Sequence, residues 1–239
     1  MAYTLTDIST DRIAVGAPAN ANTFSFFARF ILNADAGGGG ANRWLASFNN
    51  AAISQWQLAL LFPAGTTNQL AFNITKAGGT SVGPAWTTGW TTPSTHTVVC
   101  TYNQTTLALY ADGDATPKAT TAETAAPDQG SQTLTFGAIP TLSDAAPMTL
   151  YEAAWWPGTV LTGAQAAQLG SGSAVGLPTP TDYWGFIGNA YDLFGGMHGT
   201  VSGATLIAGD GLNVYPLPPV MVFNANSLTI AGVAPRGYL

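Results

Sequence analysis

The feature that most limits what this chain can fold into is a two-residue rhythm of apolar side chains, interrupted repeatedly by turn residues. In TFSFFARFIL (23–32), Phe24, Phe26, Ala28, Phe30 and Leu32 share one face, with Thr23, Ser25 and Arg29 on the other. Phe27 and Ile31 break the polar face, so partial cover is expected there too. RWLASF (43–48) follows, and then ISQWQLALLF (53–62), where Trp56, Leu58, Leu60 and Phe62 alternate. PAGTTNQ turns the chain into LAFNIT, whose Leu70, Phe72 and Ile74 point one way. A period of two over segments this short fits strands half-buried in antiparallel sheets.

The rhythm returns in HTVVCTYNQTTLALYADGD (96–114), QTLTFGA and MTLYEAAWW (148–156), then in YWGFIG, GTVSGATLIAG and LNVYPL. AGGGGA (36–41), GPAWTTGWTTPST (83–95) and ATPKATTAETAAPDQGS are expected to be loops or connections. One helix is expected. Thr162 is placed to cap it, Gln165 completes a capping box, and AQAAQL runs to Gly170. The predicted architecture is all-β: a two-sheet antiparallel β-sandwich with one short helix, in a single domain spanning 1–215. From Pro216 the pattern changes. PLPPVMVFNANSLTIAGVAPRGYL is Pro-rich and then apolar in alternation, which predicts an extended C-terminal arm over 216–239, packing on its own sandwich or on a neighbour.

Charge narrows the partners. Of 239 residues only 18 are charged, 6 basic and 12 acidic, for a net charge of -6. The basic residues (Arg12, Arg29, Arg43, Lys76, Lys118, Arg236) are dispersed, so no nucleic-acid surface is expected. The exposed surface must be mostly Thr, Ser, Asn, Gln, Gly and Ala, which suits either a neutral exterior domain or a protein packed among neighbours. No apolar run approaches the length of a membrane span. MAYTLTDISTDR lacks the basic and apolar regions of a signal peptide, so assembly in the cytoplasm is expected, with release in a particle, although a mature fragment given a new Met1 would look the same.

Three stretches carry a family resemblance. HTVVCTYNQTTLALYADGD is similar to the H-x-V-x-x-x-Y, turn, L-x-L-Y-x-D-G hairpin of laminin-G-like (concanavalin A-like) domains. LYEAAWWPGTVLTGAQAAQLGSG resembles that family's late strand followed by a capped helix, and TFSFFARFIL its aromatic opening strand. Together they cover about residues 10–175. DYWGFIGNAYDLFGGMHGTVSGAT resembles an extension that follows this module in bacteriophage virion proteins. The resemblance implies a two-sheet jelly roll that binds glycans or proteins and, in some members, hydrolyses glycosides.

The residues argue against an enzyme. Glycosidases need two carboxyl groups flanking the bond; the only glutamates are Glu123, in a polar loop, and Glu152, with no acidic partner within five residues. A Cys/His nucleophile fails on spacing. His96 and Cys100 share a strand face but lie about 13 Å apart at 3.3 Å per residue. Cys100 alternates with Val98 and Tyr102, predicting a buried thiol, and Asp112-Gly113 reads as a turn. No catalytic residue and no firm cofactor is therefore expected. Two weaker candidates remain: Asp112 and Asp114 as oxygen ligands for calcium, and Trp86 with Trp90 as a glycan-stacking platform, the alternative being that these tryptophans fill the core and its edges. The expected function is a non-enzymatic virion structural protein, decorating a capsid or forming another particle-surface or fibre component. Its partners would be capsid protein and copies of itself. The alternative is an adhesion module that recognises host cell-surface glycans.

Overall fold

The computed structural model describes residues 2–5, 12–33, 42–49, 54–61, 69–128, 133–137, 146–186, 190, 192–207, 223–224 and 227–228. Its strands are β1 (Ala2–Leu5), β2 (Arg12–Ala14), β3 (Phe24–Leu32), β4 (Asn42–Asn49), β5 (Ser54–Leu61), β6 (Gln69–Thr75), β7 (Ser81–Val82) and β8 (Ala85–Thr87). They continue as β9 (Ser94–Tyr102), β10 (Thr106–Ala111), β11 (Ala119–Ala122), β12 (Thr133–Gly137) and β13 (Met148–Pro157). After helix α1 (Gly163–Gly170) come β14 (Asp182–Trp184), β15 (Thr200–Ser202), β16 (Thr205–Ile207), β17 (Phe223–Asn224) and β18 (Ser227–Leu228).

Two antiparallel sheets face each other. One runs β11-β10-β9-β3-β13-β1-β16, with β14 also paired to β13; the other runs β15-β2-β12-β4-β5-β6-β7, with β8 also paired to β6. This is the expected all-β sandwich of two antiparallel sheets with one short helix. The core between the sheets takes the inward row of β3 as predicted, with Phe24, Phe26, Ala28, Phe30 and Leu32 buried beside Leu70, Phe72, Ile74, Val98, Cys100 and Tyr102. Phe24 meets Phe72 edge-on at 6.1 Å and lies 4.9 Å from Trp155. The second face of β3 is covered as its sequence implied. Phe27 is buried with Val99, Ala154, Trp156 and Tyr183 beneath Ala166 and Leu169 of α1.

Helix α1 starts where expected. The Thr162 side chain accepts from Gln165 N, and the Gln165 side chain accepts from Thr162 N, forming the capping box. Its two terminal glycines let it lie directly on the turn after β10. A Cβ at Gly163 would fall 1.9 Å from Ala115 O, and one at Gly170 would fall 2.3 Å from Gly113 Cα. The DGD turn and the capped helix, far apart in sequence, are thus one contact.

Several elements differ from expectation. The segments 83–95 and 115–131 were expected to be connections, but they supply β8, paired to β6, and β11, paired to β10. β1 and β2 lie ahead of the first anticipated strand. GTVSGATLIAG, read as one short strand, supplies two: β15 pairs with β2 in one sheet and β16 with β1 in the other. AGGGGA, PAGTTN and LNVYPL lie outside the described residues, as does the expected arm from Pro216 apart from the short β17–β18 pair. Among the described residues no helix is long and apolar enough to cross a membrane.

Candidate functional site

The tryptophan corner is assembled from three pieces of chain. β8 holds Trp86 on the edge of the second sheet, because Leu70 of β6 is its register partner. The loop after β8 brings Trp90 back across to the start of β9. The two indoles meet edge to face, with centroids 5.7 Å apart and planes at 84°. Both are partly buried, packed against the rim of the core.

Trp90 is committed inward. Its ring stacks on the His96 imidazole at 3.8 Å and 21°, and it meets Phe30 edge-on at 6.0 Å. Its Nε1 donates to Asp112 Oδ2 at 2.7 Å. Asp112 also accepts from Thr97 N at 3.1 Å, and His96 Nδ1 lies 3.2 Å from each of its oxygens. On the other side of the imidazole, Nε2 is 2.6 Å from Ser94 Oγ, whose hydroxyl donates to Thr91 O.

Strand spacing separates His96 from Cys100, but the hairpin brings Asp112 back to His96. The β9–β10 register pairs Val98 with Ala111, so the next residue of β10 arrives beside Thr97 and His96. Asp112 takes the left-handed conformation, φ 54°, with Gly113 at φ 79°, and Asp114 N donates to Ala111 O across the turn. An Asp-Gly pair suits a turn with two positive φ values. Burial pushes the Asp112 pKa up, but the His96 contact and charge, with the Thr97 and Trp90 donors, outweigh it and hold it below the usual carboxylate value. Asp112 is therefore spent on the hairpin.

Trp86 faces different neighbours. The Lys118 ammonium lies over its ring, 5.2 Å from the centroid, and pairs with the half-exposed Asp114 carboxylate four residues earlier. Thr87 and Gly89 beside it are exposed, and nothing lies within 4 Å of where a Cβ at Gly89 would be. Trp86, Lys118, Asp114 and Thr87 thus gather an aromatic surface, a cation, an anion and a hydroxyl. Of the two calcium candidates, Asp112 faces His96 and Asp114 faces Lys118. Among the described residues no group of three or more His, Cys, Asp or Glu side chains could hold a metal ion.

The remaining candidates are internal. Cys100 is fully buried, and burial pushes its thiol pKa well up. Glu152 is 0% exposed, with its Oε1 3.2 Å from Arg29 Nη1 and its Oε2 accepting from Tyr183 OH at 2.6 Å. Arg29 also donates to Leu169 O at the end of α1. Sequence reasoning missed this ion pair because a bulge between Leu150 and Glu152 shifts the β13 register and turns Glu152 toward the helix side. It also missed Asp182 and Asp192, both buried.

No protein-family model and no curated protein sequence matches the chain. Solved structures do match its fold. A candidate carbohydrate-binding protein from Bacteroides ovatus superposes at a TM-score of 0.60, covering 87% of this chain and 60% of its own, with 19% identity. The botulinum neurotoxin serotype D binding domain gives 0.56 over 71% of this chain and 41% of that one, at 15% identity. The heptameric SAP-like pentraxin of Limulus polyphemus gives 0.50 over 71% and 84%, at 12% identity. These likenesses establish a shared sandwich fold, and fold alone does not assign function.

Proposed function

We propose that this chain is a non-enzymatic carbohydrate-binding module, and that it binds glycan at the tryptophan corner. The observation that carries this is the placement of Trp86: an aromatic ring at a sheet edge, beside Lys118, Asp114 and the exposed Thr87. Sugars present a C–H face that an indole covers and hydroxyls that need a few fixed donors and acceptors. Trp90 serves as the pillar that holds Trp86 in place. The kind of protein named among the fold's neighbours supports the reading. Recognition of host cell-surface glycans, as an adhesion module, is the specific form we favour. Against catalysis stands the environment of Glu152, buried and engaged by Arg29 and Tyr183.

The test is a glycan array followed by calorimetry on the best hit. Trp86→Ala should weaken binding ~30-fold or more, as for a central aromatic anchor, and lower the melting temperature less than Trp90→Ala does. Trp90→Ala should lower both, because it removes the His96 stack. A blank array, or undiminished binding by Trp86→Ala, would reject the site.

A second reading is favoured by the scarcity of charge, 18 charged residues in 239. In it the chain is a virion structural protein, assembled in the host cytoplasm and packed against capsid protein or further copies of itself. Burial of a neutral surface predicts association with little salt dependence. Co-sedimentation with capsids that persists from low to high salt would support it. An outward-facing glycan site on such a particle is compatible with both readings.

A further inference from the structure

The segment from Asp192 to Gly199 leads from β14, in the first sheet, to β15, in the second. It is strapped to β14 by Leu193 N donating to Tyr183 O at 2.7 Å and by Trp184 Nε1 donating to Met197 O at 2.8 Å. Asp192 organises it. Oδ1 accepts from Tyr183 N at 2.9 Å and Phe194 N at 3.0 Å, and Oδ2 accepts from Met197 N at 2.9 Å. These three backbone N–H groups fix the Asp192 side chain at the head of the segment.

Asp182 is its partner, 2% exposed, on the core-facing side of β14. Among the described residues its Oδ2 has no hydrogen-bond partner. A Cβ at Gly195 would fall 2.1 Å from Asp182 Oδ1 and 2.6 Å from Asp192 Oδ2, so both carboxyl groups close on space that only glycine leaves open. Two carboxyl groups this near each other and this far from water do not both ionise.

We propose that the pair is a proton-operated latch: a proton on Asp182, hydrogen-bonded to Asp192, holds the 192–199 segment on β14, and loss of that proton loosens it.

Burial first, and then the Asp192 charge and hydrogen bond, push the Asp182 pKa up to about 7. Among the described residues, the charge that acts on it is that of Asp192. β13 faces Asp182 with Trp155, its register partner, while Glu152 and Arg29 lie with Tyr183 on the other face of that sheet. His198 belongs to the strap itself. The sign follows from linkage. From pH 3.8 to about 7 the folded chain keeps a proton that the unfolded chain has released, so stability falls as pH rises through that window and levels above it. Phe194, 44% exposed, rides on the strap with its ring 5.8 Å from Tyr183, so opening would change an apolar surface.

Carboxyl-carbon NMR titration of the wild-type chain tests this without a variant. The Asp182 carboxyl should titrate near pH 7. The wild-type melting temperature should be lower at pH 8 than at pH 5, and the amides of Phe194 and Met197 should lose protection after correction for intrinsic exchange. Asp182→Asn, which keeps an N–H donor toward Asp192, should remove the pH dependence. Titration of both carboxyls in the ordinary acidic range would overturn the latch. So would an Asp182→Asn variant with wild-type pH dependence, or a rise in wild-type melting temperature on adding calcium at pH 8, which would make the pair a cation site.

Discussion

Glu152→Gln separates a structural role for this residue from a catalytic one. The substitution keeps the side chain's shape and an acceptor for Tyr183 OH, and removes only the charge facing Arg29. In the wild-type chain that charge is fully buried, 3.2 Å from a guanidinium whose side chain is 12% exposed. Removing one partner of a buried pair costs about 3–5 kcal/mol, because the other is left uncompensated. Arg29 retains Leu169 O at 3.3 Å and a little solvent, so the low end, about 3 kcal/mol, is expected. For a chain of this size each kcal/mol moves the melting temperature by roughly 2–4 °C, giving a fall of about 6–12 °C. Urea unfolding monitored by tryptophan fluorescence would measure the free energy directly, with an unchanged m-value as the check on two-state behaviour. The double variant Arg29→Met/Glu152→Gln removes both charges, keeps the acceptor for Tyr183 OH and should recover most of the loss. A cost below about 0.5 kcal/mol for the single variant, on the scale of an exposed pair, or no recovery in the double variant, would refute the reasoning. Turnover of a β-glucan by wild-type protein, lost in Glu152→Gln without a stability change, would return this residue to chemistry.

The hairpin clamp makes a pH prediction of the opposite sign to the latch. Asp112 is held below its ordinary pKa, so its contribution is present above about pH 4 and is lost as pH falls through the lowered value. Asp112→Asn should therefore flatten the acid limb of a stability–pH curve measured by urea unfolding between pH 2.5 and 6. Gly170→Ala would set a Cβ 2.3 Å from Gly113 Cα, where backbone must give way. It should cost about 1–3 kcal/mol as an overpacked contact, while the same change at Gly89, where nothing lies within 4 Å, should cost far less; thermal melts of the two variants make the comparison.

Features set by neighbours in sequence were legible from sequence. The inward row of β3, the capping box at Thr162 and Gln165, the buried Cys100 and the Asp-Gly turn all follow from side-chain period or turn chemistry acting over a few residues. β1 and β2 were not legible, because three or four residues carry too little period to stand out. Their identity comes from partners more than a hundred residues away, such as Leu5 with Met148 and Ile13 with Phe136. The surroundings of Glu152 were not legible, because one bulge reverses the parity of β13: Met148 and Leu150 point inward before it, Ala153 and Trp155 after it.

The His96–Asp112 contact is a subtler case, because its information was present in the hairpin. Pairing Tyr102 with Leu107 across the turn carries Ala111 to Val98, and Asp112 then has only Thr97 and His96 to meet. Spacing along one strand measures distance correctly only within that strand; folding the hairpin reverses it, so residues 16 apart touch while residues four apart do not. Once Asp112 is fixed by His96, Trp90 is fixed by both, through the stack and the indole N–H. Trp86, the outer member of the edge-to-face pair, has no such hydrogen-bonded clamp on its ring, only the Lys118 ammonium above it. That asymmetry is why a ligand test should weigh Trp86 and Trp90 differently: loss of binding at Trp86 reports on recognition, and loss at Trp90 reports first on the scaffold that presents it.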